Sequence, residues 1–306
     1  MLHAIDGTPA SPLTFGTMQF GGTADDPASA QMWSACRAAG ITHFDTAWVY
    51  TDGRSEEITG RLIGAERESL LIATKAAYTG GAGGTNIRAQ FDTSRRRLAL
   101  DCIDILYMHR FDPETPLEET FETLATLQSQ GLIRYIGVSN YAAWQVMKAQ
   151  NTAARFGTRI DIIQPMYSLV KRQAEVEIFP MAQDQGIFVA PYSPLGGGLL
   201  TGKYATGGSG RLSTDDRYRA RYGAAHMHET ARGLAGIAAR EGVHPATLAV
   251  AWAASHPAKP APIVSARSAG QLAPSLAGFS MSETLRAELN ELGPRPAPAT
   301  DRLEEA

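Results

Sequence analysis

The chain has 306 residues, 44% of them apolar and 19% charged, enough to bury a large core in one domain or two and too apolar for extended disorder. Its 28 basic and 31 acidic residues give a net charge of −3, which leaves no basic field to hold nucleic acid or an anionic membrane. No apolar run approaches membrane-spanning length, and "MLHAIDGTPASP" lacks a basic segment followed by an apolar one, so the expected location is the cytoplasm.

Short apolar, β-rich runs alternate along the chain with amphipathic stretches of helical length. "LTFGTM" at Leu13 is followed by "PASAQMWSACRAAG", "THFDTA", "SEEITGRLIGA", "LLIATK", "NIRAQFDTSRRRLAL" and "DILYMH". Then come "LEETFETLATLQSQG", "RYIGVS", "AAWQVMKAQNTAARFG", "DIIQPM", "AEVEIFPMAQDQG" and "IFVAPYS", a long insertion, and finally "HETARGLAGIAAREG", "APIVSA" and "SAGQLAPSLAGF". Gly40, Gly131, Gly157, Gly186 and Gly242 each follow an amphipathic run, where a left-handed residue ends a helix. Eight strand–helix units predict an α/β fold, a closed (β/α)8 barrel, rather than an open sheet.

No Pro/Ser-rich linker divides the chain, so residues 1–293 read as one barrel domain and 294–306 as a flexible, exposed tail. The connection after the seventh strand, from Gly196 to about His228, is glycine- and arginine-rich. It is either a lid over bound ligand or a tolerated insertion. Cys36 and Cys102 fall in stretches of helical character without metal-ligand spacing and read as buried, reduced thiols.

Four polar residues stand at or just beyond the ends of apolar runs: Asp45 and Tyr50 in "HFDTAWVY", Lys75 in "LLIATK", His109 in "DILYMH". Singly, each is an ordinary turn, solvated or packed residue. In a barrel, Asp45, Lys75 and His109 would close neighbouring strands at the carboxyl face, where active sites form, with Tyr50 in the loop beside them. A phenol is a poor acid at neutral pH, and a nearby ammonium favours its phenolate, so Lys75 is expected to lower the Tyr50 pKa. Asp45 would keep Lys75 charged, and His109 would orient a substrate oxygen. This set suits proton donation to a carbonyl oxygen.

The segments "GITHFDTAWVYTDGRSEEITGRLI", "ATK", "YMHR", "LQSQGLIRYIGVSN" and "PYSPLGGGLLTGKY" closely resemble the aldo-keto reductases, in order and across nearly the whole chain. The resemblance implies a TIM barrel, NADPH/NADP+ as cofactor, reversible reduction of an aldehyde or ketone, and a catalytic tetrad on Asp45, Tyr50, Lys75 and His109, with Tyr50 as general acid. It further implies that Ser139, Asn140 and Gln164 hold the cofactor carboxamide beside Asp45, and that Tyr192 stacks on the nicotinamide. Ser193, Leu195 and Gly198 match positions lining the pyrophosphate, with Lys203 as a phosphate contact. Ser265, Arg267 and Gln271 match the segment reading the 2′-phosphate, although Pro274-Ser275 replaces the acidic-Asn pair of the family at the adenine.

No G-x-G-x-x-G follows the first strand. Gly197, Gly202 and Lys203 mimic the start of G-x-x-x-x-G-K-S/T, but Tyr204 stands where that motif needs a hydroxyl residue, so a triphosphate site is rejected. Met18, Phe20, Trp48 and Tyr78 are candidate walls of an apolar substrate pocket, and Arg110 either attracts an anionic group or pairs with Asp112. The expected partners are a small carbonyl compound and at most a weakly associated second copy of the chain. Two other classes stay open: a cofactor-sensing subunit, and a lyase using Lys75 as a Schiff base. No metal is expected, since His226 and His228 lack a partner set.

Overall fold

The eight apolar runs form eight strands: β1 (Thr14–Gly16), β2 (His43–Asp45), β3 (Leu71–Ala76), β4 (Ile103–Met108), β5 (Ile133–Ser139), β6 (Ile162–Gln164), β7 (Phe188–Val189) and β8 (Ile263–Val264). The structure, a computed structural model, describes residues 1–204, 208–302 and 304. All neighbouring strands are parallel, in the order β7-β6-β5-β4-β3-β2-β1-β8. The ring closes between its edges: Ala261 N donates to Val189 O and Ile263 N to Pro191 O, each at 2.8 Å. Every residue of β3 and β4 is buried, the pattern of strands covered on both faces.

Alternation sorts the side chains into two cores. Leu71, Ala73, Ile105, Tyr107, Ile162, Ala190 and Ile263 fill the inside, joined there by Leu2 and Ala4. These last two close the amino end, where Asp6 N donates to Glu68 O at 3.1 Å just before β3. The larger core lies between the sheet and the helices. Inside the barrel Gly137 makes room for a ring, since a Cβ there would lie 2.4 Å from Tyr107 Cδ1.

The helices follow the predicted alternation, and the five helix-ending glycines have φ of 77°, 70°, 70°, 61° and 67°. The helix Asp26–Ala38 starts on the Asp25 carboxylate, which accepts from Ala28 N, and buries Met32, Trp33 and Cys36. Four features depart from expectation. The run after β6 is shorter, a 3₁₀ turn at Gln173–Glu175 and a helix only over Ile178–Asp184. Cys102 lies outside any helix, immediately before β4 and half-exposed. Pro245–Ala254 and Glu283–Asn290 are additional helices.

Lastly, the long connection after β7 is built of short helical turns, Gly196–Thr201, Arg211–Thr214 and Asp216–Tyr222, with residues 205–207 outside the described part. Its last residues, His226 and His228, sit in the first turn of the helix Ala225–Arg240. Residues 294–302 carry no helix or strand and are exposed or half-buried.

Candidate active site

β2, β3 and β4 bring Asp45, Lys75 and His109 to the carboxyl face of the barrel, and the turn Tyr50–Gly53 after β2 brings Tyr50 beside them. Lys75 Nζ donates to Asp45 Oδ2 at 2.5 Å, to Thr46 O at 2.7 Å and to Tyr50 Oη at 3.2 Å. An ammonium has three N–H donors, and here each has an acceptor. The Tyr50 and His109 rings meet edge to face at 6.0 Å. His109 Nδ1 is buried without a partner among the described residues.

Electrostatics refine the roles. Burial raises the Tyr50 phenol above its ordinary value; the Lys75 charge opposes this and the Asp45 charge adds to it. The expected lowering by Lys75 is therefore outweighed, because the phenol is desolvated more strongly than one shared cation compensates. For Lys75, burial acts to lower the value, yet the charges of Asp45 and Tyr50 and the hydrogen bonds to both leave the ammonium raised. Burial, then the Lys75 and Arg110 charges, push His109 down to about 3, so its imidazole is neutral at pH 7.

A hydrogen-bonded chain extends from this centre. Gln164 Nε2 donates to the free oxygen of Asp45, Oδ1, at 2.9 Å, and Ser139 Oγ donates to Gln164 O at 3.0 Å. Asn140, held at φ 59°, donates from Nδ2 to His109 O at 2.9 Å and to Ser139 Oγ at 3.2 Å. Its Oδ1 accepts from Tyr192 Oη at 2.8 Å. Strand ends of β2, β4, β5 and β6 are thus joined through side chains separated by up to 119 residues in sequence.

The sequence matches the Aldo/keto reductase family over residues 12–292. The chain belongs to that family. It is 33% identical to "Uncharacterized oxidoreductase YrpG" of Bacillus subtilis (strain 168), over 96% of this chain and 95% of that protein. It is also 33% identical to "Probable voltage-gated potassium channel subunit beta" of Oryza sativa subsp. japonica, over 92% of each. The human "Aflatoxin B1 aldehyde reductase member 4" is 39% identical over 64% of this chain and 61% of its own length. Members of the family are oxidoreductases acting on carbonyl compounds.

In this aldo-keto reductase, further residues surround the network. Gly196, Gly197 and Gly198 have φ of 55°, 65° and 98°, and a Cβ on Gly197 would lie 2.7 Å from Tyr218 Cδ1. The helix Asp216–Tyr222 therefore packs onto this glycine turn. Ser193 and Leu195 flank it, and Lys203 Nζ lies over the Tyr204 ring at 4.9 Å, close to Gly198. Beyond β8, Ser265 Oγ is buried without a partner among the described residues, Arg267 is exposed, and Gln271 Oε1 accepts from Arg267 N at 3.4 Å. Pro274 offers its carbonyl to Thr247 at 2.6 Å, and Ser275 is buried.

The expected pocket walls divide. Tyr78 is exposed and its ring packs tilted against His109, with centroids 4.9 Å apart, while the Arg110 guanidinium lies 5.1 Å from the Tyr78 ring and forms no ion pair with Asp112. Asp112 instead accepts from Ala82 N and Thr115 Oγ1. Met18 is exposed and Trp48 half-buried. Phe20 is corrected: it is fully buried and packs on Phe15 at 5.6 Å, because the tight turn from Thr17 to Phe20 folds its ring under the strand end. Phe111, Tyr141 and Trp144 form a rim cluster after β4 and β5 that sequence reasoning passed over. Aromatics directly following strand ends were the available signal.

Buried neutral histidines have a consequence for stability. His43 and His109 are pushed down to about 3 and His256 to about 4, each chiefly by burial. Below about pH 6.5 the unfolded chain takes up protons at these positions that the folded chain refuses, so stability falls as pH falls. Urea midpoints should therefore decline steadily from neutrality toward pH 4. A flat midpoint across that window would contradict the assignment.

Proposed function

We propose that this protein is an NADPH-dependent reductase of aldehydes or ketones, with Tyr50 as proton donor. The observation that carries this reading is the buried Lys75 ammonium held between Asp45 at 2.5 Å and Tyr50 at 3.2 Å. Tyr50 stays protonated at neutral pH and so has a proton to give to the carbonyl oxygen. Lys75 stabilises the phenolate left behind, and Asp45 keeps Lys75 charged. Neutral His109 carries one N–H, which can hold the same oxygen.

The chain's features fit a dinucleotide. Tyr192 is fixed through Asn140, the Gly196–Gly198 turn has left-handed backbone at three successive residues with Lys203 Nζ close to Gly198, and Ser265 offers a hydroxyl without a partner among the described residues, two positions before Arg267. Ser139, Asn140 and Gln164 would hold the carboxamide, Ser193, Leu195, Gly198 and Lys203 the pyrophosphate, and Ser265, Arg267 and Gln271 the 2′-phosphate. NADPH, when bound, supplies the hydride that no side chain can donate. Tyr78, Trp48 and Met18 would line an apolar mouth suited to a carbonyl on an apolar or ring body, with Arg110 available to an anionic substituent. The two free cysteines accord with a cytoplasmic setting.

NADPH oxidation with 4-nitrobenzaldehyde tests the reading, and turnover is expected. Arg267→Ala should weaken NADPH binding about 10-fold or more, the loss of a charge-assisted contact, while leaving NADH binding nearly unchanged. Equal use of both cofactors by the wild type would remove the NADPH assignment. A cofactor-sensing subunit is the second reading, favoured by the full-length similarity to a protein named as a channel beta subunit. Tight NADPH binding without turnover on a panel of carbonyls would identify it.

A further inference from the structure

The loop that carries Tyr50 is conformationally demanding. Thr51, Asp52 and Gly53 all have left-handed backbone, with φ of 48°, 54° and 93°, although two of them have a Cβ. Such a run persists only where its surroundings hold it. On its inner side the loop is tied to the barrel by Thr46 N to Ala73 O at 2.9 Å and Trp48 N to Lys75 O at 3.1 Å. Thr51 Oγ1 donates to Phe20 O at 2.8 Å.

On its outer side the tie is an ion pair that the tetrad does not use. Glu56, with a side chain 0% exposed, accepts from Thr74 Oγ1 at 2.6 Å and from Arg97 Nη1 at 3.1 Å. The same Arg97 Nη1 donates to Trp48 O at 3.0 Å, and its guanidinium lies 5.8 Å from the Trp48 ring. Arg97 also lies flush against Gly53, where a Cβ would come within 2.2 Å of its Cζ. Gly60 permits this approach, because a Cβ there would sit 2.6 Å from Leu98 O on the helix that carries Arg97. Thr74 and Lys75 are adjacent on β3 and face opposite sides of the sheet. The strand that presents the cation inward therefore anchors, outward, the clamp on the loop of the acid.

We propose that Arg97 and Glu56 are positioning residues that index the Tyr50 loop to β3 and so set the contact between the Tyr50 hydroxyl and Lys75. The proposal rests on Tyr50 being the proton donor. Displacement of a reacting group by about 1 Å can cost on the order of 10²-fold in rate, so the clamp has leverage without touching substrate.

The test is carbonyl reduction by wild type, Arg97→Ala, Glu56→Gln and Tyr50→Phe, each with its NADPH dissociation constant and melting curve. Arg97→Ala and Glu56→Gln should lower kcat by roughly 10²-fold with NADPH affinity unchanged. In both, the alkaline limb of the kcat–pH profile should move upward as the phenol loses its cation. Guanidinium ion added in solution should restore part of the Arg97→Ala rate, which a general loss of packing would not permit. If Arg97→Ala does not fold, the double variant Arg97→Gln with Glu56→Gln, which leaves no uncompensated charge, replaces it with the same expected kcat and pH signature. A folded variant with wild-type kcat, a rate loss without a shift of the limb, or failure of both variants to fold overturns the positioning role. Retained activity in Tyr50→Phe instead removes the donor assignment, and the proposal with it.

Discussion

Tyr50→Phe should lose carbonyl reduction by about 10³-fold, within the range a well-placed general acid contributes, while the protein stays folded and binds NADPH. The hydroxyl is bonded to Lys75 at 3.2 Å, and Lys75 keeps Asp45 and Thr46 as acceptors when it is removed. One donor on a charged group is left short, a modest cost in a site that is otherwise intact. Phenylalanine keeps the ring that packs edge to face against His109 at 6.0 Å, so the pocket retains its shape. Single-turnover rates with saturating NADPH separate chemistry from binding. A rate within about tenfold of wild type would assign the proton to another group, with His109 the first to examine.

Much of this arrangement is legible in the sequence, because parallel strands buried on both faces appear as short apolar runs and each reactive residue but Tyr50 closes such a run. Asp45, Lys75 and His109 needed only the assumption of a closed barrel to become neighbours. What could not be read depends on contacts across the chain. Arg97 and Glu56 are 41 residues apart and look like ordinary charges on two amphipathic helices. Phe20 resembles a pocket residue until the turn at Thr17 buries it. The helix Pro245–Ala254 buries seven of its ten residues and shows no apolar stripe, whereas Glu283–Asn290 buries only Leu285 and Leu289. The direction of the Tyr50 shift is a balance of burial against charge, and sequence shows only the charge.

Lys75→Met should be the most destabilising single change at the site, and a second substitution should repair stability without repairing chemistry. The Lys75 side chain is 0% exposed and that of Asp45 4%, so removing the ammonium leaves a buried carboxylate with Gln164 Nε2 at 2.9 Å and no counter-charge. Breaking such a pair costs about 3–5 kcal/mol, a large share of the roughly 5–15 kcal/mol that keeps a domain folded. Adding Asp45→Asn removes the stranded charge while keeping a carbonyl that can accept from Gln164, so most of the stability should return. Reductase activity should not return, since the half-buried Tyr50 then has no cation to accommodate its phenolate.

The pH dependence gives an independent reading of the same pair. Lys75 is raised above its ordinary value of about 10.4, so its contribution is complete below that value and is lost as pH climbs through the raised folded value. Wild-type stability should fall on that alkaline side, and the double variant should fall less steeply. If Lys75→Met alone unfolds at the wild-type urea concentration, the pair is no structural anchor and its retention must be ascribed to catalysis. If the double variant regains reduction, the cation is dispensable, and the coupling of Asp45, Lys75 and Tyr50 into one proton-donating unit is wrong.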